Sequence, residues 1–160
     1  MRRTIIRVGL VAAIAFSGRP AFADATIFAG ASMTPSSRPV RGAALGVGLL
    51  VIGFEFEYAY TSEDPTVRAP ELKMGTGNLL LQTPFEIYGV QPYFITGAGV
   101  YSETLAGGND FSVTLNTGGG VKIAMFGPLR FRADYRVIKL GSGAVNSPAH
   151  RVYAGLNLKF

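Results

Sequence analysis

From Leu129 to Val137 the chain alternates without a break. Leu129, Phe131, Ala133, Tyr135 and Val137 are apolar, and Arg130, Arg132, Asp134 and Arg136 between them are charged. A period of two places these sets on opposite faces of an extended strand, whereas a helix would scatter the charges around its girth. Gly53–Tyr60 repeats the pattern, with Phe54, Phe56, Tyr58 and Tyr60 opposing Glu55, Glu57 and Ala59. In Ser112–Ala124, Val113, Leu115, Thr117, Gly119, Val121 and Ile123 oppose Thr114, Asn116, Gly118, Gly120 and Lys122. The final segment sets Val152, Ala154, Leu156, Leu158 and Phe160 against Arg151, Tyr153, Gly155, Asn157 and Lys159.

Extended over the chain, this period predicts eight strands, at 25–34, 42–50, 53–62, 71–82, 91–102, 111–124, 129–138 and 149–160. Most run about ten residues, the length a tilted strand needs to cross a bilayer. Polar or Gly/Pro/Ser-rich links (34–41, 62–70, 103–110, 139–148) alternate with tighter ones (50–53, 83–90, 125–128). This is the rhythm of an up-and-down meander with short turns at one end and longer loops at the other. Two segments resist orientation. The run Leu79-Leu80-Leu81 leaves open whether Lys73 or Asn78 points inward, and Thr96-Gly97-Ala98-Gly99 is equally ambiguous. The turn near 50–53 has weak turn chemistry.

The first 23 residues carry a different signal. Arg2, Arg3 and Arg7 precede an apolar run from Val8 to Phe16, and Ala21-Phe22-Ala23 is a small-x-small cleavage site. This reads as a secretory signal, and the run is too short to span a bilayer as a helix. Residues 1–23 are thus expected to be a cleaved leader and 24–160 one β-barrel domain. The leader also accounts for the basic balance. Of 15 Lys and Arg residues against 10 Asp and Glu, four arginines lie in the leader, leaving 11 against 10. A nucleic-acid surface is therefore not expected.

Alternation alone fits a water-soluble barrel, with its apolar face inward, or a membrane barrel with that face outward. Four features favour the second. Only 16% of residues are charged, against about a quarter in typical soluble domains. Glycines fall within strands and leave room for long side chains in a narrow lumen. Phe54, Tyr58, Tyr60, Tyr93, Phe94, Tyr101, Phe126 and Tyr135 lie near strand ends, as in interfacial girdles. The last strand ends in an aromatic residue.

The ending Gly155-Leu156-Asn157-Leu158-Lys159-Phe160 resembles the C-terminal assembly signal of bacterial outer-membrane proteins, carried by Gly155, Leu158 and Phe160. With the Ala21/Ala23 leader and eight strands, residues 24–160 resemble the small outer-membrane β-barrels of OmpA/OmpX type. The resemblance implies an all-β, eight-stranded antiparallel transmembrane barrel, residence in the outer membrane, insertion by the barrel assembly machinery, and a monomer.

Eight strands enclose a space that side chains just fill. Glu55, Glu57 and Asp134 are expected to face Lys122, Arg130, Arg132, Arg136, Arg151 and, near the mouth, Lys159 in that space. Glu55 and Glu57 should meet Arg130 and Arg132 across it, and Asp134 should tie Arg132, Arg136 or Arg151. Such a plugged lumen implies a structural or surface-interaction role without catalysis. A narrow channel or small-ligand carrier is one alternative. A lipid-modifying enzyme at the rim is another, using His150 with Ser142 or Ser147 and Asp110 or Glu103. Arg38, Arg41 and Arg68 are candidate contacts to anionic lipid headgroups or sugars. The sequence contains no cysteine and one histidine, and no cofactor or metal site is expected. The loop ligand is not specified by the sequence.

Overall fold

The computed structural model describes residues 21–105 and 108–160. Eight antiparallel strands form a closed barrel: β1 (Phe22–Ser32), β2 (Arg38–Leu49), β3 (Ile52–Thr61), β4 (Glu71–Gln82), β5 (Val90–Leu105), β6 (Gly108–Phe126), β7 (Leu129–Leu140) and β8 (Ala149–Lys159). Each strand pairs with its sequence neighbours, and β1 pairs with β8 to close the ring. The leader, apart from its last three residues, lies outside the described residues. Phe22 and Ala23 belong to β1, and Ala23 exchanges two 2.8 Å backbone hydrogen bonds with Phe160.

The orientation is inside out relative to a soluble barrel. Glu55, Glu57, Arg132 and Arg136 are buried, while Phe54, Phe56, Phe131 and Tyr135 are exposed on the outer wall. Closing the sheet pairs the ladder groups of every strand without using water, a requirement in lipid.

The ambiguous strands now have a direction. In β4, Leu72, Met74, Thr76, Asn78, Leu80 and Gln82 point inward, and Lys73 points out. The leucine run hides the alternation because Leu80 packs inside against Tyr93 and Ile95, so the inner wall there is apolar too. In β5, Gly97 and Gly99 face inward and Thr96 and Ala98 outward.

The connections differ from expectation in three places. The segment expected as a loop at 103–110 is mostly ladder: β5 and β6 run on to a Leu105↔Gly108 pair. Extended pairing persists there because Ser102, Thr104 and Asn109 satisfy one another; the Ser102 hydroxyl donates to Asn109 at 2.5 Å. The expected 34–41 loop shrinks, since Arg38 and Val40 continue the inward face of β2. The weak 50–53 turn is a tight hairpin, Leu49↔Ile52, with Leu50 at φ 47°. Two kinds of end result. Residues 50–51, 83–89 and 127–128 form the turn end, beside Phe22 and Phe160. Residues 33–37, 62–70 and 141–148 form the loop end.

Candidate functional site in the barrel lumen

The lumen fills in layers. At the turn end, Lys122 on β6 pairs with Asp24 on β1 at 2.8 Å. Arg130 on β7 pairs with Glu86 in the β4–β5 turn at 2.8 Å and donates to Gln91 at 2.9 Å. Lys159 stays at the mouth, its Nζ 4.3 Å from the centre of the Phe22 ring.

The middle layer holds three arginines and three carboxylates. Arg132 bonds to both oxygens of Glu55 across the barrel, with NH2–Oε1 at 3.2 Å, and to Asp134 Oδ2 at 3.0 Å. Arg136 reaches Asp134 at 3.1 Å and Glu57 at 2.8 Å. Arg151 reaches Glu57 at 3.2 Å. Two tyrosines knit the layer together. The Tyr93 hydroxyl donates to Asp134 at 2.6 Å and accepts from Arg132 Nε at 2.7 Å. The Tyr153 hydroxyl accepts from Arg136 and lies 3.1 Å from Glu57 and 2.9 Å from Asp134. Three positive and three negative charges cancel, as desolvated charges require.

This layer depends on a missing side chain. A Cβ on Gly120 would lie 2.5 Å from the Tyr93 hydroxyl oxygen. It would also lie 2.3 Å from the Ala133 carbonyl oxygen, so only glycine fits between that backbone and the tyrosine.

Toward the loop end an apolar cluster fills the lumen. Leu72, Met74, Tyr101, Ile138, Leu140 and Ala149 pack together with no charge among them. Above them the buried Arg38 donates to the carbonyls of Pro70 (2.5 Å), Ser62 (3.2 Å) and Thr34 (3.2 Å). A cavity lined by Asp24, Glu55, Gln82 and Lys122 near the turn end holds about 10 Å³, space for about one water.

Expectation and structure can now be compared residue by residue. The structure brings Glu55, Glu57, Arg132, Asp134, Arg136 and Arg151 together. Arg130 does not meet Glu55 or Glu57, because it sits one inward position nearer the turn end, within reach of Glu86. Asp134 ties Arg132 and Arg136 and does not contact Arg151. With Asp24 and Glu86 counted and Lys159 left at the mouth, five carboxylates face the five bases Lys122, Arg130, Arg132, Arg136 and Arg151. Asp24 falls outside the expected strand at 25–34 because β1 begins three residues earlier, at Phe22, and Glu86 lies in a turn. Tyr93 and Tyr101 are 5% and 2% exposed and belong to the lumen, not to a girdle. A single aromatic residue on a glycine-rich strand carries no sign of which way it points. Arg38 is 3% exposed and turns inward, so it is not a rim contact for headgroups. Arg41 is outward and exposed, and Arg68 is exposed in a loop.

The residues proposed around His150 do not assemble. His150 lies on the outer face of β8, its Nδ1 2.7 Å from the Tyr135 hydroxyl. Ser147 is bonded to the backbone of Leu140, and Glu103 accepts from the Val145 amide. In the assembly segment, Gly155 lies inside against Phe28, and Leu158 and Phe160 are exposed on the outer wall.

No family model matches the sequence, and no curated protein matches it. Solved structures do match its fold. The N-terminal β-barrel domain of Pseudomonas aeruginosa OprF aligns with a TM-score of 0.70 at 11% identity, covering 87% of this chain and 97% of that one. Neisserial surface protein A (NspA) aligns at 0.64 and 20% identity, covering 88% and 96%. The outer membrane enzyme PagL aligns at 0.50 and 15% identity, covering 86% and 98%. The chain therefore has the fold of the small eight-stranded outer-membrane β-barrels, as its sequence resemblance implied.

Proposed function

We propose that this chain is an exported outer-membrane barrel whose role is structural or surface-interacting, with a closed lumen and no catalysis. The turn end then faces the periplasm and the loop end the exterior. The leader at 1–23 directs export, the barrel assembly machinery reads the Phe160 end, and the inserted protein is a monomer. The observation that carries this reading is the pairing of an apolar outer wall with a lumen blocked twice, by the Arg132/Arg136/Arg151 layer and by the Leu72/Ile138/Leu140 cluster. A wall of this kind suits hydrocarbon, and two blocks in series oppose ion flow. A rim enzyme is disfavoured because His150 is engaged by a tyrosine and faces no serine–acid pair.

Two measurements test the proposal. In cell fractionation the protein is expected in the outer membrane, migrating differently on gels before and after boiling. In planar bilayers it is expected to show no steady conductance of porin size. A soluble protein that does not shift on boiling would overturn the location, and large stable channels would overturn the closed lumen.

A further inference from the structure

Outward-pointing charges on the strands are few and all lie toward the loop end: among the described residues they are Arg41, Glu71, Lys73 and Lys139. Three of the four sit together. Arg41 on β2 registers with Tyr60 on β3, and Tyr60 with Lys73 on β4. The Arg41 guanidinium lies 5.2 Å from the centre of the Tyr60 ring. The Tyr60 hydroxyl donates to Glu71 at 2.8 Å, and Glu71 pairs with Lys73 at 2.7 Å. Two cations and one carboxylate leave this row with one net positive charge on a wall that faces lipid.

Directly toward the turn end, the same wall carries an apolar groove of about 600 Å³, lined by Leu45, Val47, Phe54, Phe56 and Leu79. That volume falls within the roughly 300–1,000 Å³ of small-ligand sites. Outward-facing Gly75 and Gly77 of β4 line the way from the cationic row into it. A Cβ added at Gly75 would have Phe56 as its nearest neighbour, at 3.9 Å, and one at Gly77 the Ala98 carbonyl, at 4.0 Å. Neither glycine is demanded by packing within the barrel, yet each keeps the groove open. From Lys73 to Gly77 the strand rises about 13 Å.

We propose that the β2–β3–β4 wall seats one phosphorylated, acylated lipid, its phosphate between Arg41 and Lys73 and an acyl chain along Gly75 and Gly77. The inference rests on the membrane reading above and names a lipid that this barrel holds. A cation row above an apolar slot is complementary to an anionic headgroup above a hydrocarbon tail. It is not complementary to a second copy, because a two-fold contact through this wall would bring the two cationic rows together at one height.

The test is native mass spectrometry of the full chain in detergent micelles with bisphosphorylated hexa-acyl lipid A, against the same lipid with both phosphates removed. One phosphorylated lipid per barrel is expected. Arg41→Ala with Lys73→Ala should weaken its retention about tenfold while barely changing that of the dephosphorylated lipid. Gly77→Leu, which fills the groove and spares the charges, should weaken both. Ala154→Leu, which adds similar bulk to the outer face of β8, should weaken neither. Each variant is first checked for heat-shifted migration, and Gly75→Val substitutes for Gly77→Leu if that variant does not fold. Equal retention by folded wild type and variants, or a lipid-free dimer of the wild type, overturns the seat while leaving the membrane reading intact. A wild type that is soluble and shows no heat shift overturns both.

Discussion

Arg132 on β7 and Glu55 on β3 face each other across the barrel axis as a two-pronged ion pair, both side chains at most 1% exposed. Both charges are cut off from bulk water. Removing one partner strands the other, at a cost of about 3–5 kcal/mol, whereas an apolar replacement of both can be nearly neutral. Glu55→Ala is therefore expected to lose most of that amount in chemical unfolding from micelles. Glu55→Leu combined with Arg132→Met should lose clearly less than the two single changes summed. Additive losses would show that the pair is not energetically coupled.

Glu57 serves two arginines unequally. Arg136 keeps Asp134 when Glu57 is removed, but the remaining contact of Arg151 is the Met74 sulfur at 3.8 Å. Glu57→Ala should therefore be rescued by Arg151→Met more than by Arg136→Met. The unfolding midpoints of the two double variants decide it, and equal rescue would refute the asymmetry.

Gly120→Ala places a methyl group where the Tyr93 hydroxyl lies, and that hydroxyl is bonded to Asp134 and Arg132. Overpacking of this kind costs about 1–3 kcal/mol. Because the methyl also meets the Ala133 carbonyl oxygen at 2.3 Å and Tyr93 Cζ at 2.7 Å, Tyr93→Phe in the Gly120→Ala background should recover little of the loss, measured as the shift in unfolding midpoint.

These residues also show what the sequence made legible and what it did not. Strand number, barrel closure and the facing of Glu55, Glu57, Arg132, Asp134 and Arg136 follow from alternation, because each lies between apolar neighbours that fix its side. The pairing partners do not follow, since strand tilt and register decide which long side chains meet. Register placed Arg130 beside Glu86 and sent Glu57 to Arg136 and Arg151. The apolar loop-end layer was hidden for another reason. Where Leu72, Ile138 and Leu140 are inward, their outward neighbours include Glu71, Lys73 and Lys139, so the alternation runs opposite to that of the charged layer. The cationic row of Arg41 and Lys73 required knowing that both residues, far from each other in sequence, register with Tyr60 from its two sides.

The hairpin between β2 and β3 turns through Leu50 at φ 47°, a left-handed conformation that costs a residue with a Cβ about 1–2 kcal/mol. Leu50→Gly should raise the unfolding midpoint without altering gel migration. An unchanged or lower midpoint would mean that the leucine side chain compensates for its backbone.

At the loop end, the Thr66 hydroxyl donates to Asp64, and so does that of Ser36, which ties the first loop to the second. The Thr66 hydrogen bond, with Ser36 in support, holds the Asp64 carboxyl below its ordinary range. A depressed carboxyl stabilises the folded form above its unfolded value and loses that contribution as pH falls through the folded one. The tie should therefore persist at neutral pH and open only in acid, below about pH 4. NMR signals of Ser36 and Thr66 should move together there, and movement near neutrality would contradict the assignment.

The seam between β1 and β8 joins opposite ends of the chain, Asp24 opposite Lys159 and Ala23 bonded to Phe160. No half-built intermediate can satisfy the hydrogen bonds of its outermost strands. A partly emerged chain would present two raw edges to hydrocarbon, so burial in lipid has to wait for the last strand. Until then the polypeptide needs an aqueous holding state, and deleting β8 should leave it stranded there and exposed to proteolysis.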